Sequence, residues 1–163
     1  MRTEHMPEEL RVLFIGESPP AGGTFFYSAD SILYRATRQA FLDALPNLAD
    51  QPNFLEAFRA LGCYLDDLSL RPIDKLESRD RLEARDAAVP QLARRLSAFR
   101  PRRVVIVLKG IAPQVSTALE EAGLGEVARA ELRFPSRWHR AEYVAELTEL
   151  VRGWRGEELL LAT

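Results

Sequence analysis

The chain has 163 residues, of which 47% are hydrophobic and 28% charged, a balance that predicts a folded globular protein rather than a disordered one. Its formal net charge of −2 excludes a protein that coats nucleic acid with its whole surface, so any contact with DNA needs a local basic patch. A single cysteine, Cys63, excludes an internal disulfide framework and any iron–sulfur cluster or zinc site built from several thiolates.

The pattern along the chain indicates one domain. Residues 1–9 are charged and lack the apolar stretch of a signal peptide, and no segment reaches the roughly 18 apolar residues of a membrane span. We therefore expect a cytoplasmic protein without a membrane partner. No repeat, low-complexity tract or shift in composition marks a second domain. The prediction is a single domain over residues 1–163, with its core at 11–152 and terminal extensions at 1–9 and 156–163.

Strands and helices are predicted to alternate. Short apolar runs that end at turn residues indicate buried strands, and apolar residues at helical spacing indicate helices. Pro90 should interrupt or restart its helix, because proline cannot donate a helical hydrogen bond. In chain order the pattern predicts a strand at 11–15, helices at 30–45 and 54–61, a strand at 64–70, a helix at 76–98, a strand at 103–108, a helix at 111–122, a strand at 127–134 and a helix at 141–152.

This alternation predicts the fold class. Strands interleaved with helices favour an α/β fold, a three-layer α/β/α sandwich around a central, mainly parallel four-stranded sheet. Ligand sites in open sheets of this kind lie beyond the carboxyl ends of the strands. Three loops fit that description, at residues 16–27, 71–77 and 135–140.

The first of these loops places a carboxylate directly after a buried strand. Glu17 stands on backbone that Pro19 and Pro20 stiffen, as a general base or a group stabilising a cationic transition state would require. A solvated loop residue or a helix cap is the alternative. Neither a Gly-x-Ser-x-Gly nucleophile elbow nor a phosphate-binding P-loop is present.

Aromatic side chains follow in the same loop. Phe25, Phe26 and Tyr27 are consecutive on a segment rich in glycine and proline, and such rings suit stacking on a flat ligand such as a base. The alternative is that two of the three fill the core beneath the loop.

The third loop combines aromatic and basic residues. Residues 134–140 read Phe-Pro-Ser-Arg-Trp-His-Arg and contain one of the two histidines of the chain. Together with the preceding Arg129 and Arg133, this loop can form a local basic face despite the negative total charge. The alternative is a set of surface charges with Trp138 folded inward.

Residues 11–150 resemble the uracil-DNA glycosylase superfamily. Residues 16–19, Gly-Glu-Ser-Pro, are similar to its first motif, Gly-x-x-Pro, which ends the first strand. Phe25 or Phe26 matches the aromatic that follows and stacks on the extracted base. Residues 62–72 resemble a stretch shared by the mismatch-specific and thermophile-type branches.

Two further segments carry the resemblance. Residues 96–105 are similar to the helix, proline and buried strand that precede a glycine in these enzymes, here Gly110. Pro135 and Ser136 resemble the second motif, His-Pro-Ser-Pro, whose loop enters the minor groove. Phe134 stands where that motif has its leading histidine, and His139 lies five residues later.

The first motif and the base-reading position also depart from the commonest pattern. Many members carry Asp or Asn, which positions water, where this chain has Ser18, whereas Glu17 matches the glutamate of the thermophile-type branch. That branch usually holds an iron–sulfur cluster, which a single cysteine excludes here. Asp67 falls near an asparagine that reads uracil; an ionised carboxylate only accepts hydrogen bonds, so it favours a base edge with two donors or must be protonated. A structural cap or ion-pair partner is the alternative for Asp67.

The resemblance implies a monofunctional DNA glycosylase of base excision repair. It would flip a uracil, or another deaminated or mismatched base, out of DNA and hydrolyse its N-glycosidic bond. It implies a monomer with DNA as partner and without metal or cofactor. The implied roles are catalysis by Glu17, Ser18 and His139, base binding by Phe25, Phe26 and Asp67, and DNA binding by Ser136, Arg137, Trp138 and Arg140.

Two alternatives stay open. The first is a module of the same fold that binds nucleobases, nucleotides or DNA without catalysis, which Ser18 and Phe134 at familiar catalytic positions favour. The second is a hydrolase or transferase acting on small nucleotides, which the negative net charge favours.

Overall fold

A computed structural model describes residues 3–162. Within them the strands are β1 (Val12–Gly16), β2 (Cys63–Asp67), β3 (Arg103–Ile106) and β4 (Ala128–Glu131). The α-helices are α1 (Ile32–Ala44), α2 (Phe54–Ala60), α3 (Ser78–Phe99), α4 (Ala112–Glu121) and α5 (Arg140–Gly156). Short 3₁₀ turns are formed by Thr3–His5, Phe26–Ser28, Pro46–Asp50 and Lys109–Ile111.

The strands form one four-stranded parallel sheet in the order β2-β1-β3-β4. Strand β1 pairs with β3 from Val12 opposite Arg103 to Ile15 opposite Ile106. Strand β3 pairs with β4, ending at Ile106 opposite Glu131. The predicted α/β class with a parallel four-stranded sheet is confirmed.

The residues divide into two compact units. One unit contains Thr24–Tyr64, with the residues up to Arg11 and those from Leu132 onward. The other contains Val12–Gly23 and Leu65–Glu131. The single domain over residues 1–163 stays a prediction.

The first unit is built around the contact between α1 and α5. Helix α1 begins after Ser31, whose hydroxyl oxygen accepts a hydrogen bond from the Tyr34 backbone N–H at 3.0 Å, as a serine N-cap does. The buried hydroxyls of Thr37 and Tyr143 join the two helices through a 2.9 Å hydrogen bond. The chain after α5 also belongs to this unit, since the Leu161 N–H donates to the Leu61 carbonyl.

The second unit contains most of the sheet together with α3 and α4. Every residue of β1 is buried, because a strand in the middle of a parallel sheet has no solvated face. Helix α4 ends as predicted near Gly123, which adopts a left-handed φ of 73°.

The predicted break at Pro90 is wrong. Helix α3 runs unbroken through Pro90, which is exposed. The cost is the hydrogen bond that residue 90 would donate to the Asp86 carbonyl. Burial of an apolar face on both sides of the proline offsets that cost; its residues are Ala88, Val89, Leu92, Ala93 and Leu96.

Within residues 3–162, no helix combines the length and the apolar character needed to cross a membrane.

Candidate functional site

Glu17 lies immediately beyond the carboxyl end of β1 and is held by two arginines of α3. Its side chain is 8% exposed. Arg81 donates from Nε to Oε1 at 2.7 Å and from Nη2 to Oε2 at 2.5 Å. Arg85, one helical turn later on the same face, reaches Oε1 from Nε at 2.7 Å and from Nη2 at 2.6 Å. Glu17 is therefore neither a solvated loop residue nor a helix cap, but the centre of a buried ion-pair cluster.

The arginines decide the protonation state of this carboxyl. Burial raises the pKa of Glu17, but the hydrogen bonds and charges of Arg81 and Arg85 outweigh burial, so the pKa lies below its usual value of 4.5. Glu17 is ionised at neutral pH. Contact with Glu17 correspondingly raises the pKa of Arg81.

Two loops meet beside Glu17 in the same unit. The Ser18 hydroxyl oxygen accepts a hydrogen bond from the Ile73 backbone N–H at 3.2 Å. The Ala21 N–H donates to the Asp74 carboxylate at 3.1 Å. These contacts hold the loop after β1 against the loop between β2 and α3, so the backbone that carries Glu17 is fixed on more than one side.

Asp67 is the last residue of β2 and is buried. Its carboxylate occupies the space above Gly16, where a Cβ atom would stand only 2.5 Å from Oδ1. Arg95 of α3 fixes this end of β2, donating from Nη2 to the Asp67 carbonyl at 2.6 Å and from Nε to the buried Asp66 carboxylate at 2.7 Å. The structure thus brings the predicted residues Glu17, Ser18 and Asp67 to the neighbouring ends of β1 and β2.

The consecutive aromatics of the first loop have different surroundings. Phe26 and Tyr27 are buried, and the Phe26 ring contacts those of Tyr34 and Phe58 at centroid distances of 5.8 and 5.6 Å. Two of the three rings therefore fill the core of the first unit. Phe25 is half-buried, with its N–H donated to the Asp30 carboxylate at 2.7 Å. Of the two candidate stacking rings, Phe25 is the accessible one.

The predicted DNA-binding loop precedes α5, also in the first unit. Trp138 is 82% exposed, so the alternative in which it folds inward does not hold. The guanidinium of Arg137 lies 5.2 Å from the centroid of its ring, within cation–π range. His139 donates its N–H to the Ser136 carbonyl at 2.9 Å, and its Nδ1 lies 3.5 Å from the Glu142 carboxylate. Arg140 is exposed at the first position of α5.

Three arginines of α3 are absent from the residues predicted for the site. Arg85 lies about one helical turn after Arg81, and Arg95 lies about four turns after Arg81. This spacing places the three side chains on one face of the helix. That periodicity is the signal that could have found them. A basic stripe on a polar helix is more often a solvated surface, however, and nothing local shows that it faces two strand ends.

Among residues 3–162, no group of three or more His, Cys, Asp and Glu side chains is arranged to hold a metal ion.

Comparison with known protein-family models and with curated proteins finds no match for this chain. The resemblance of residues 11–150 to the uracil-DNA glycosylase superfamily stays a prediction.

Proposed function

We propose that the protein is a DNA glycosylase of the uracil-DNA glycosylase superfamily, which hydrolyses the N-glycosidic bond of a damaged or mismatched base. The observation that carries the proposal is Glu17, a buried and ionised carboxylate at the carboxyl end of β1. Sites of open α/β sheets lie at such strand ends. Bonds from two arginines fix the orientation of the carboxylate before any substrate binds.

The chemistry assigned to Glu17 is electrostatic. As the base departs with the electron pair of the C–N bond, the sugar gains positive charge, which a fixed negative group stabilises. Oε2 accepts one hydrogen bond, from Arg81, and so keeps lone-pair capacity to orient the attacking water. Because the arginines lower its pKa, Glu17 is a weak proton acceptor, and orientation of water is a better role for it than general base catalysis.

The remaining roles follow the superfamily pattern. Phe25 would stack on the base, and Asp67, at the adjacent strand end, would accept hydrogen bonds from its edge. His139 would stabilise the departing base, and Ser136 would contact a phosphate. The exposed Trp138, with Arg137 against it and Arg140 nearby in sequence, suits insertion into the duplex.

One observation favours a second candidate, a module that binds bases or DNA without cutting them. Arg81 and Arg85 carry two positive charges against the single negative charge of Glu17. This excess weakens the stabilisation that Glu17 can offer to a cationic transition state. A binding module predicts affinity for DNA or nucleobases and no abasic product.

The deciding experiment compares wild type with Glu17→Gln. Labelled oligonucleotides that contain uracil, hypoxanthine, xanthine or a G·T mismatch are incubated with each protein, and alkali then cleaves any abasic site. If Glu17 stabilises the transition state, we expect the variant to lose about 10²–10³-fold in single-turnover rate.

Glu83→Gln is the matched control, since Glu83 is on α3, is 67% exposed and forms an ion pair with the exposed Arg79 at 3.4 Å. It should cleave at the wild-type rate. Both variants are first checked for folding by circular dichroism. Cleavage by Glu17→Gln at the wild-type rate would remove the catalytic role of Glu17. Binding without cleavage by the wild type would establish the second candidate.

A further inference from the structure

The guanidinium of Arg81 is fixed by hydrogen bonds to Glu17 and keeps further N–H groups that could bind a ligand. Its Nε and Nη2 both donate to Glu17, which fixes the plane of the group. Within residues 3–162, its Nη1 has no hydrogen-bond partner, and the side chain is 33% exposed. An arginine has five N–H donors, so Arg81 presents open donors to solvent in a fixed direction.

Arg85 differs from Arg81 in this respect. Its Nε donates to Glu17 Oε1, its Nη2 lies 2.6 Å from the same oxygen in an ion pair, and its Nη1 donates to the Gly110 carbonyl at 3.3 Å. Each nitrogen of Arg85 therefore has a protein partner. Glu17 cancels one of the two arginine charges, and the carboxylate of Asp74 adds a further negative charge that acts on Arg81. Of the two arginines, Arg81 has the more exposed side chain, at 33% against 18% for Arg85.

We propose that Arg81 binds a phosphate group of the substrate. Phosphate oxygens match the planar arrangement of N–H donors in a guanidinium. Charge-assisted hydrogen bonds of this kind are stronger than those between neutral groups. Glu17 has already fixed the side chain, so little rotational freedom is lost when the anion binds. The place is also suitable, because the cluster lies at the carboxyl ends of the sheet strands.

The proposed function supplies the source of the phosphate, a phosphodiester of the DNA strand, and the inference rests on it only for that source. Phosphate binding itself requires no catalysis. A free mononucleotide or inorganic phosphate offers the same chemistry, so the test must separate a strand from a free anion.

The experiment measures the affinity of a fluorescein-labelled single-stranded oligonucleotide without a damaged base by anisotropy, at several salt concentrations. We expect Arg81→Gln to weaken binding about ten- to a hundredfold, since a hydrogen bond to a charged group is lost. The slope of log K against log salt should become shallower by about 0.7, the value for one phosphate of a single strand. Arg81→Lys, which keeps the charge but not the planar arrangement of donors, should bind with intermediate affinity.

Arg79→Gln is the matched control. Arg79 carries the same charge on the same helix, two residues earlier, but is 89% exposed and pairs with Glu83. Its loss should leave the affinity within about twofold of wild type. Thermal melting of each variant verifies that it is folded, and Arg81→Gln keeps Arg85 as the partner of Glu17.

The outcomes separate the proposals. An Arg81→Gln protein with wild-type affinity and salt slope would overturn the inference, even if the wild type cleaves damaged DNA. Weakened binding by Arg81→Gln without any abasic product from the wild type would support the inference and refute the glycosylase. Competition by inorganic phosphate that depends on Arg81 would identify a free anion as sufficient, whereas competition only by unlabelled strand would identify the phosphodiester.

Discussion

Gly16 leaves the space that the carboxylate of Asp67 occupies. A Cβ atom on Gly16 would stand 2.5 Å from Asp67 Oδ1, closer than any unstrained contact, although the backbone of Gly16 is ordinary strand. Glycine is thus needed here because two groups approach closely, not because of an unusual φ. The last residue of β1, Gly16, and the last residue of β2, Asp67, are therefore in close contact. Glu17 follows Gly16 directly in the chain.

The first prediction concerns this close approach. Gly16→Ala must displace either the Asp67 carboxylate or the end of β1, since a short side chain has little room to swing away. We expect the free energy of unfolding to fall by about 1–3 kcal/mol, as for other overpacked sites. Urea denaturation followed by circular dichroism measures it.

Gly22→Ala is the control for Gly16→Ala, because no atom lies within 4 Å of its added Cβ and its φ is not left-handed. It should change stability by no more than about 1 kcal/mol. A double variant with Asp67→Ala removes the clash and should be less sensitive to the alanine at position 16. Equal effects of the two glycine substitutions would show that the close approach has no energetic consequence.

The second prediction concerns the end of β2. Arg95 is an ion-pair partner of Asp66, which is 2% exposed, and a hydrogen-bond donor to the Asp67 carbonyl. Arg95→Met keeps much of the length of the side chain but removes the guanidinium that donates to the buried Asp66 carboxylate. We expect a loss of about 3 kcal/mol in unfolding free energy, which a urea titration can measure.

Arg94→Met tests whether that loss is specific. Arg94 is the exposed neighbour of Arg95 on α3, so its substitution should stay within about 0.5 kcal/mol of wild type. Similar losses for both variants would indicate that methionine affects the helix itself rather than the end of β2.

The third prediction is a pH dependence of stability that Glu17 causes. Burial raises its pKa, yet Arg81 and Arg85 lower it further, below the usual value of 4.5. Because the folded pKa is the lower one, ionised Glu17 stabilises the fold above that usual value, and the contribution is lost as the pH falls through the folded pKa. The stability difference between wild type and Glu17→Gln should therefore be constant near neutral pH and shrink as the pH falls below 4.5 and through the folded pKa.

Unfolding free energies at a series of pH values give this difference. Glu83→Gln again serves as control, because Glu83 is exposed and its difference from wild type should stay near zero throughout. A Glu17→Gln difference that is independent of pH would mean that the ion-pair cluster contributes through packing and not through charge.

Secondary-structure elements that depend only on residues close together in the chain could be predicted from the sequence. The apolar run at 11–15 is β1, one residue displaced, and the helix predicted at 30–45 is α1, which Ser31 caps. A strand core and an N-cap depend on side chains within a few positions of each other, so local patterns contain the necessary information.

Strand ends could not be predicted in the same way. The pattern predicts a strand at 127–134, whereas β4 covers only Ala128–Glu131. Its partner β3 ends at Ile106, and the pairing of β3 with β4 ends at Ile106 opposite Glu131. The length of an edge strand is set by its neighbour in the sheet, which the residues of the edge strand do not encode.

The candidate site shows the same limit. The place of Glu17 at the end of β1 could be read from the loop that follows a buried strand. Its partners could not, since Arg81 and Arg85 lie 64 and 68 residues further along the chain. Whether Phe25 or Phe26 is accessible depends on rings from α1 and α2, so the two identical side chains cannot be distinguished by sequence alone.

The last prediction uses Trp138 as a reporter of DNA contact. The chain has two tryptophans; Trp138 is 82% exposed and Trp154 is 5% exposed. Acrylamide quenching of the wild type should therefore be dominated by Trp138 and fall severalfold in Trp138→Phe. If the loop before α5 inserts into a duplex, added oligonucleotide must protect the wild-type emission from acrylamide and leave that of Trp138→Phe nearly unchanged. Tight DNA binding without protection of Trp138 would place the contact elsewhere on the protein and remove Arg137, Trp138 and Arg140 from the proposed interface.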